Sequence, residues 1–94
     1  MELGGNIELF GADTYDDNQL IIIKKLVGHY TKHFTEEHPS FEGLTVRFDV
    51  HNAEYALEAQ LLLGEEEIVA QAQHKNIYFA LDAVLKALAS KIEA

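Results

Sequence analysis

The chain has 94 residues, a formal charge of −9 at pH 7, 48% apolar residues and no cysteine. This length suits a single domain over residues 1–94, because two cores would have fewer than about 50 residues each. The missing cysteines exclude a disulfide framework, a thiolate metal site and a cysteine nucleophile. The negative charge argues against binding nucleic acid by overall attraction. With no long apolar run and no signal-peptide pattern, we expect a soluble cytoplasmic protein without membrane contact.

The first part of the chain predicts a strand and a helix. Residues 6–11 alternate in polarity, which predicts a short strand with Ile7 and Leu9 facing inward. Asp17 is the predicted cap of a helix over residues 18–34. The apolar residues of one helical face are Leu20, Ile23, Val27, Tyr30 and Phe34. Residues 35–43, which contain the single proline, are predicted to form a loop.

The next three segments alternate with a period of two residues, which predicts an antiparallel meander. The predicted inward residues are Leu44, Val46, Phe48 and Val50, then Tyr55, Leu57, Ala59, Leu61 and Leu63, then Ile68, Ala70 and Ala72. Residues 52–54 and 64–67 are the predicted turns. The acidic run 65–67 is interpreted as a solvated turn rather than a cation site.

After Lys75 the period becomes helical, and Asn76 is the predicted cap. The apolar stripe of this helix contains Ile77, Leu81, Val84, Leu85, Leu88 and Ile92. The element order β-α-β-β-β-α predicts an α+β two-layer sandwich. In this architecture a four-stranded, mostly antiparallel sheet carries both helices on one face.

Three stretches resemble the short ribosome hibernation promoting factors, also called ribosome-associated translation inhibitors, a sigma-modulation-protein-like family. They are residues 7–11 followed six residues later by 18–20, residues 67–72, and residues 76–82. The third has a polar cap followed by tyrosine, small residues, an aliphatic residue and aspartate. The resemblance implies a fold like a double-stranded-RNA-binding domain with an added first strand. It also implies binding in the decoding region of the small ribosomal subunit in cells that have stopped growing, without enzymatic activity.

The resemblance further implies that basic residues on the two helices contact rRNA. Residues 18–33 have a net charge of +3 and residues 75–92 a net charge of +2; together they hold +5 of a total of −9, so the rest carries −14. Lys25 and Lys32 are seven residues apart, and Lys75 and Lys86 eleven, so each pair returns to nearly the same helical angle. The predicted phosphate contacts are Lys24, Lys25, Lys32, Lys75, Lys86 and Lys91.

A second hypothesis keeps this fold without the ribosome. Ala87 and Ser90 stand where the family has basic or amide residues, and core-packed helices commonly present lysines to solvent. In that case the chain is an acidic protein-interaction module. Its open sheet face or an edge strand would then bind a protein partner.

The histidines of the first helix and the polar residues of the sheet are interpreted as ordinary surface. His29 and His33 lie four residues apart and could share a metal ion with a nearby carboxylate, but we predict solvated histidines and no metal or other cofactor. Asp49, His51 and Glu58 are expected on the open sheet face without a concave pocket. We therefore predict no catalytic site and no small-molecule substrate.

Two aromatic residues, Tyr78 and Phe79, begin the last helix. We expect one of them to pack inward and the other to be exposed. Stacking on a nucleic-acid base is possible at this position, but packing at the helix junction is the favoured interpretation.

Overall fold

A computed structural model describes residues 1–3 and 6–93. The elements are β1 (Ile7–Phe10), a 3-10 turn (Ala12–Thr14), α1 (Asp17–Glu37), β2 (Phe41–His51), β3 (Glu54–Leu63), β4 (Glu66–His74) and α2 (Ile77–Glu93). The sheet has the order β1-β2-β3-β4, with β1 parallel to β2 and the other neighbours antiparallel. The predicted α+β architecture is confirmed. In the part of the chain that the structure describes, no helix has the length and apolarity needed to cross a membrane.

Helix α1 is capped by Asp16, so the prediction of Asp17 as its cap is wrong. The Gln19 backbone N–H donates to Asp16 Oδ1 at 2.8 Å, and the Asp16 backbone N–H donates to Gln19 Oε1 at 3.2 Å. This capping box satisfies donors that the first turn of a helix would otherwise leave unpaired. Asp17 lies in the first helical turn, where the helix dipole favours its negative charge.

The predicted loop over residues 35–43 is mostly regular structure. Helix α1 continues to Glu37, and β2 already begins at Phe41. The helix stops at His38, whose backbone is extended with φ −132° and ψ 95°. The following residue is Pro39, and a proline disfavours helical backbone in the residue before it. The prediction placed the boundary too early because polar residues of a last helical turn resemble a loop in sequence.

The strand hairpins are tighter than predicted. Asn52 and Ala53 have φ values of 52° and 64°, and they form a two-residue turn because Glu54 already belongs to β3. The next turn is at Gly64, with a φ of 61°, and residues 66 and 67 belong to β4. These left-handed backbones match the twist of two-residue hairpins.

A single apolar cluster fills the space between the sheet and the helices. The predicted stripes of both helices point into it. The largest fully buried side chains are Phe34, Leu9, Ile23, Leu44, Leu61, Leu81, Leu85, Leu88, Val27, Val46 and Val84. Val50 is an exception to the predicted pattern, with 56% of its surface exposed. It lies where β2 enters the hairpin turn, at the margin of the cluster.

The two edge strands of the sheet, β1 and β4, form hydrogen bonds with different parts of the chain. Along β1, Met1 and Leu9 exchange backbone hydrogen bonds of 2.9 and 2.8 Å, and the Leu3 N–H donates to the Ile7 carbonyl at 2.8 Å. Along β4, the Lys91 ammonium donates to the Val69 carbonyl. The N-terminal residues therefore pair with one edge, and Lys91 is the α2 side chain that hydrogen-bonds the other edge among the described residues.

The capping box gives a direct stability test. Asp16→Ala should lower the free energy of unfolding by about 1 kcal/mol, because it removes the acceptor for the Gln19 N–H. Urea unfolding followed by circular dichroism measures the change. Asp17→Ala is the matched control and should cost less, since that carboxylate has no hydrogen-bond donor among the described residues and interacts with the helix dipole. An equal or larger loss in the Asp17 variant would contradict the assignment of the cap.

Candidate nucleic-acid interface

The two helices run in the same direction across one face of the sheet. Helix α1 connects the parallel strands β1 and β2 and therefore runs opposite to both. Strands β2 and β4 share a direction because both are antiparallel to β3. Helix α2 returns along β4, as the contact of Lys91 with Val69 shows. The sides of α1 and α2 that face away from the core therefore form one outer surface.

A hydrogen bond joins the helices near their middles. The Tyr30 hydroxyl donates to Asp82 Oδ1 at 2.9 Å, and both side chains are half-buried. Burial, and then the hydrogen bond and negative charge of Asp82, raise the pKa of Tyr30 to about 12. The phenol therefore remains a neutral donor at physiological pH. The Asp82 carboxylate is directed to the helix contact rather than to the lysines on the outer surface.

Three of the six predicted lysines lie together on the outer surface. Successive helical residues are about 100° apart, so Lys25 and Lys32 lie opposite the buried face that contains Ile23. Lys86 lies opposite the buried Leu88 of α2 in the same way. All three lysines are exposed. We call the surface formed by Lys25, Lys32 and Lys86 the outer lysine surface.

The other three lysines lie apart from this surface. Lys24 is exposed but is about 100° around α1 from Lys25, so it points to the flank of the helix. Lys91 points to the sheet edge, where it donates to the Val69 carbonyl. Lys75 lies in the exposed turn before α2. The six lysines therefore do not form two continuous rows.

The charge of the outer lysine surface is available to a ligand. Among the side chains that the structure describes, no carboxylate lies within ion-pair distance of its three lysines. Helix α1 as a whole contains three lysines and three carboxylates, because Asp17, Glu36 and Glu37 belong to it. These carboxylates lie at the two ends of the helix. The positive charge of α1 is therefore confined to its middle. The predicted helix over residues 18–34 contains no carboxylate and had implied positive charge along its whole length.

His29 and His33 line a shallow depression of about 260 Å³ together with Lys32 and Glu36. Within residues 1–3 and 6–93, no three histidine, aspartate or glutamate side chains are arranged to hold a metal ion. The ring of His29 meets Tyr30 edge to face with centroids 5.6 Å apart. The Lys32 ammonium in the same depression would also repel a cation.

The open sheet face is concave, contrary to the prediction. A depression of about 530 Å³ is lined by Arg47, Asp49, His51, Ala56, Leu57, Glu58, Gln71, Ala72 and Gln73. The right-handed twist of neighbouring strands gives a sheet such a curvature, which an alternating sequence pattern does not reveal.

The polar groups of this depression bind one another. Gln71 Nε2 donates to Glu58 Oε2 at 2.9 Å, and Gln73 Nε2 donates to Glu54 Oε1 at 3.1 Å. His51 and Asp49 are 3.2 Å apart, with 63% and 70% of their side chains exposed. Such exposed pairs contribute little energy and do not form an acid–base site shielded from water.

The structure places Phe79 on the outward side of α2, whereas packing at the helix junction is the interpretation that the sequence favours for Tyr78 and Phe79. The expectation that one of the two aromatics is exposed is confirmed, because Tyr78 is half-buried whereas Phe79 is 62% exposed. The helical periodicity contained this signal: Phe79 is seven residues before Lys86 and falls on the same outward side of α2.

Comparison with known proteins supports the fold. No protein-family model matches the sequence, and no curated protein matches it. A ribosomal subunit interface protein from Coxiella burnetii superposes with a TM-score of 0.67 at 14% identity, over 94% of this chain and 91% of that one. The N-terminal domain of Thermus thermophilus Protein Y superposes with a TM-score of 0.71 at 16% identity, over 95% and 97%. At these identities the likeness is one of fold, and it confirms at that level the resemblance to hibernation factors.

Removing the hydrogen bond between the helices tests its contribution to stability. Tyr30→Phe should lower the free energy of unfolding by about 1 kcal/mol at neutral pH. The folded-state pKa of about 12 lies above the unfolded value of 10.0, so the bond stabilises fully below the unfolded value. This stabilisation is lost as pH rises through about 12.

Urea unfolding at several pH values and phenolate absorbance measure these effects. The wild-type absorbance should contain a component that titrates near pH 12 and is missing in Tyr30→Phe. Tyr78→Phe is a matched control, because no hydrogen bond of its hydroxyl is found among the described residues. Equal stability of Tyr30→Phe and the wild type would refute the role of this bond.

Proposed function

We propose that this chain is a cytoplasmic, ribosome-associated factor that binds small-subunit rRNA and inhibits translation in stationary phase or under stress. It acts by binding rather than by catalysis. The fold likeness supports this function, because one of the similar structures is named a ribosomal subunit interface protein. The sequence resemblance to hibernation factors points to the same function.

The observation that carries the proposal is the outer lysine surface. Two neighbouring helices present exposed ammonium groups on one side, and the described carboxylates leave these groups unpaired. Such groups neutralise RNA phosphates and position a protein without reading base sequence. Phosphate contacts of this kind suit an RNA surface that is recognised by shape.

The uneven charge distribution would also orient the chain on the ribosome. The molecule carries −9 in total, so its acidic parts are repelled by phosphate while the outer lysine surface is attracted. The open sheet face would therefore point away from the RNA. In this orientation the chain would obstruct the decoding region, the site that the family resemblance implies.

Co-sedimentation with small ribosomal subunits tests the proposal. Combining Lys25→Gln, Lys32→Gln and Lys86→Gln should weaken binding strongly and reduce its salt dependence, by about 0.7–0.9 in the slope of log affinity against log salt per lost contact. Adding Lys75→Gln should weaken binding further if this lysine also reaches a phosphate.

Arg47→Gln is the matched control, because it removes a positive charge from the opposite face of the sheet. It should leave binding nearly unchanged. Full binding by the triple lysine variant, or wild-type binding that salt does not weaken, would sink the proposed function.

A second candidate is the acidic protein-interaction module. The concave open face favours it, because three carboxylates, Asp49, Glu54 and Glu58, surround this depression with Arg47 as the neighbouring cation. The Arg47 guanidinium is itself occupied, 4.7 Å from the centre of the Phe10 ring. If this candidate is right, the triple lysine variant retains partner binding in a pull-down, whereas Glu58→Gln weakens it.

A further inference from the structure

Phe79 has an unusual position for a large apolar side chain. It lies in the first turn of α2 with 62% of its surface exposed, more than any other large apolar side chain among the described residues. Burying a phenylalanine typically contributes about 2 kcal/mol, and the fold leaves most of this contribution unused here. Because the fold does not bury the ring, a ligand that covers it would gain the apolar contact.

The ring of Phe79 is held in a defined orientation. The imidazole of His74, at the end of β4, meets it perpendicularly, with centroids 5.1 Å apart and an interplanar angle of 89°. His74 is fixed in turn, because its Nδ1 accepts the Asn76 backbone N–H at 2.9 Å. A perpendicular contact covers at most one face of the phenyl ring, so the other face is left free by this contact.

The charge around Phe79 favours an anionic partner. Lys75 lies four residues earlier, in the exposed turn, and Lys86 lies about 10 Å further along the same side of α2. Asp82, the carboxylate closest in sequence, is directed to Tyr30 on the other helix. Asn76 Oδ1 accepts the backbone N–H groups of residues 78 and 79, at 2.9 and 3.2 Å, so these two groups are not available to a phosphate. Lys75 and Lys86 are the positively charged hydrogen-bond donors on either side of Phe79.

The other exposed phenylalanine, Phe10, differs from Phe79 because a cation already covers its ring. Phe10 lies on the open sheet face with 39% of its surface exposed, and the Arg47 guanidinium covers its ring at 4.7 Å from the centroid. Phe10 therefore already has a cation–π partner. Phe79 has a free face and lies between lysines, which is the combination found in single-strand-binding surfaces.

We propose that Phe79 is a stacking platform for an unpaired RNA base, with Lys75 and Lys86 binding the adjoining phosphates. This inference rests on the proposed function and adds to it a preference for unpaired rather than duplex RNA at the start of α2. A base in a duplex is already stacked on its neighbours, whereas an unpaired base has a face available to the ring.

A single-tryptophan variant provides the direct test. The chain contains no tryptophan, so the indole of Phe79→Trp would be its single such reporter. Titration with an unlabelled oligoadenylate of about eight nucleotides should quench this fluorescence at wild-type affinity. Phe79→Ala should bind a fluorescein-labelled version of the same strand about 5- to 150-fold more weakly, as expected for the loss of one stacked base.

The matched control is Phe10→Ala, the same substitution on the opposite face. It should bind the oligoadenylate like the wild type. A duplex of equal length should bind the wild type and Phe79→Ala with similar affinity, because phosphate contacts alone hold it. Equal affinity of the Phe79→Ala and Phe10→Ala variants for the single strand, or an unquenched indole, would overturn the stacking proposal.

Ribosome co-sedimentation separates this failure from failure of the proposed function. If the lysine variant loses subunit binding while Phe79→Ala and Phe10→Ala bind equally, only the stacking proposal is overturned. If the lysine variant binds like the wild type, the proposed function fails. If Phe79→Ala weakens subunit binding but binds the oligoadenylate like the wild type, the ring contacts a ribosomal protein, and the stacking proposal is again refuted.

Discussion

The burial of one apolar stripe from each helix against the same sheet face is the constraint on which the remaining structure depends. Ile23, Val27 and Phe34 from α1 pack into the cluster that also holds Leu85 and Leu88 from α2. Because each helix has one buried side, its opposite side must face water. The helices are parallel because each runs opposite to the strand before it, and those two strands share a direction. The hydrogen bond from Tyr30 to Asp82 joins the helices near their middles. The outer lysine surface is a consequence of this packing.

The same constraint separates the charges of an acidic protein. Lysines in the middle of the helices lie on the outer side of the helical layer, whereas Asp49, Glu54 and Glu58 lie on or beside the open sheet face. Because no described carboxylate lies within ion-pair distance of Lys25, Lys32 or Lys86, a chain of net charge −9 still presents a local cationic surface. Salt further weakens the interaction of these lysines with the carboxylates of the sheet face, because exposed charges farther apart than a Debye length of about 8–10 Å are largely screened. Total charge is therefore a poor guide to the partner of this fold.

The two faces also differ in how their side chains are occupied. On the open sheet face, Gln71 and Glu58 bind each other, and Arg47 covers Phe10. On the helical layer, Lys25 and Lys86 have no carboxylate partner in the described part of the chain, and Phe79 keeps a face free of its His74 contact. Groups without internal partners gain most from an external ligand, because no existing interaction must be broken. This difference favours the helical layer as the binding surface.

Hydrophobic periods of two and of about 3.6 residues reflect local geometry, so the element order, the inward stripes and the fold class could be predicted from the sequence. The prediction missed the cap at Asp16 and the end of α1, since several acidic or polar residues compete for these positions and only backbone geometry selects one. Two features emerge only from the packed fold: Lys91 turns to the sheet edge, and the open sheet face is concave. These features depend on which surfaces the neighbouring elements cover, and residues distant in sequence supply that cover.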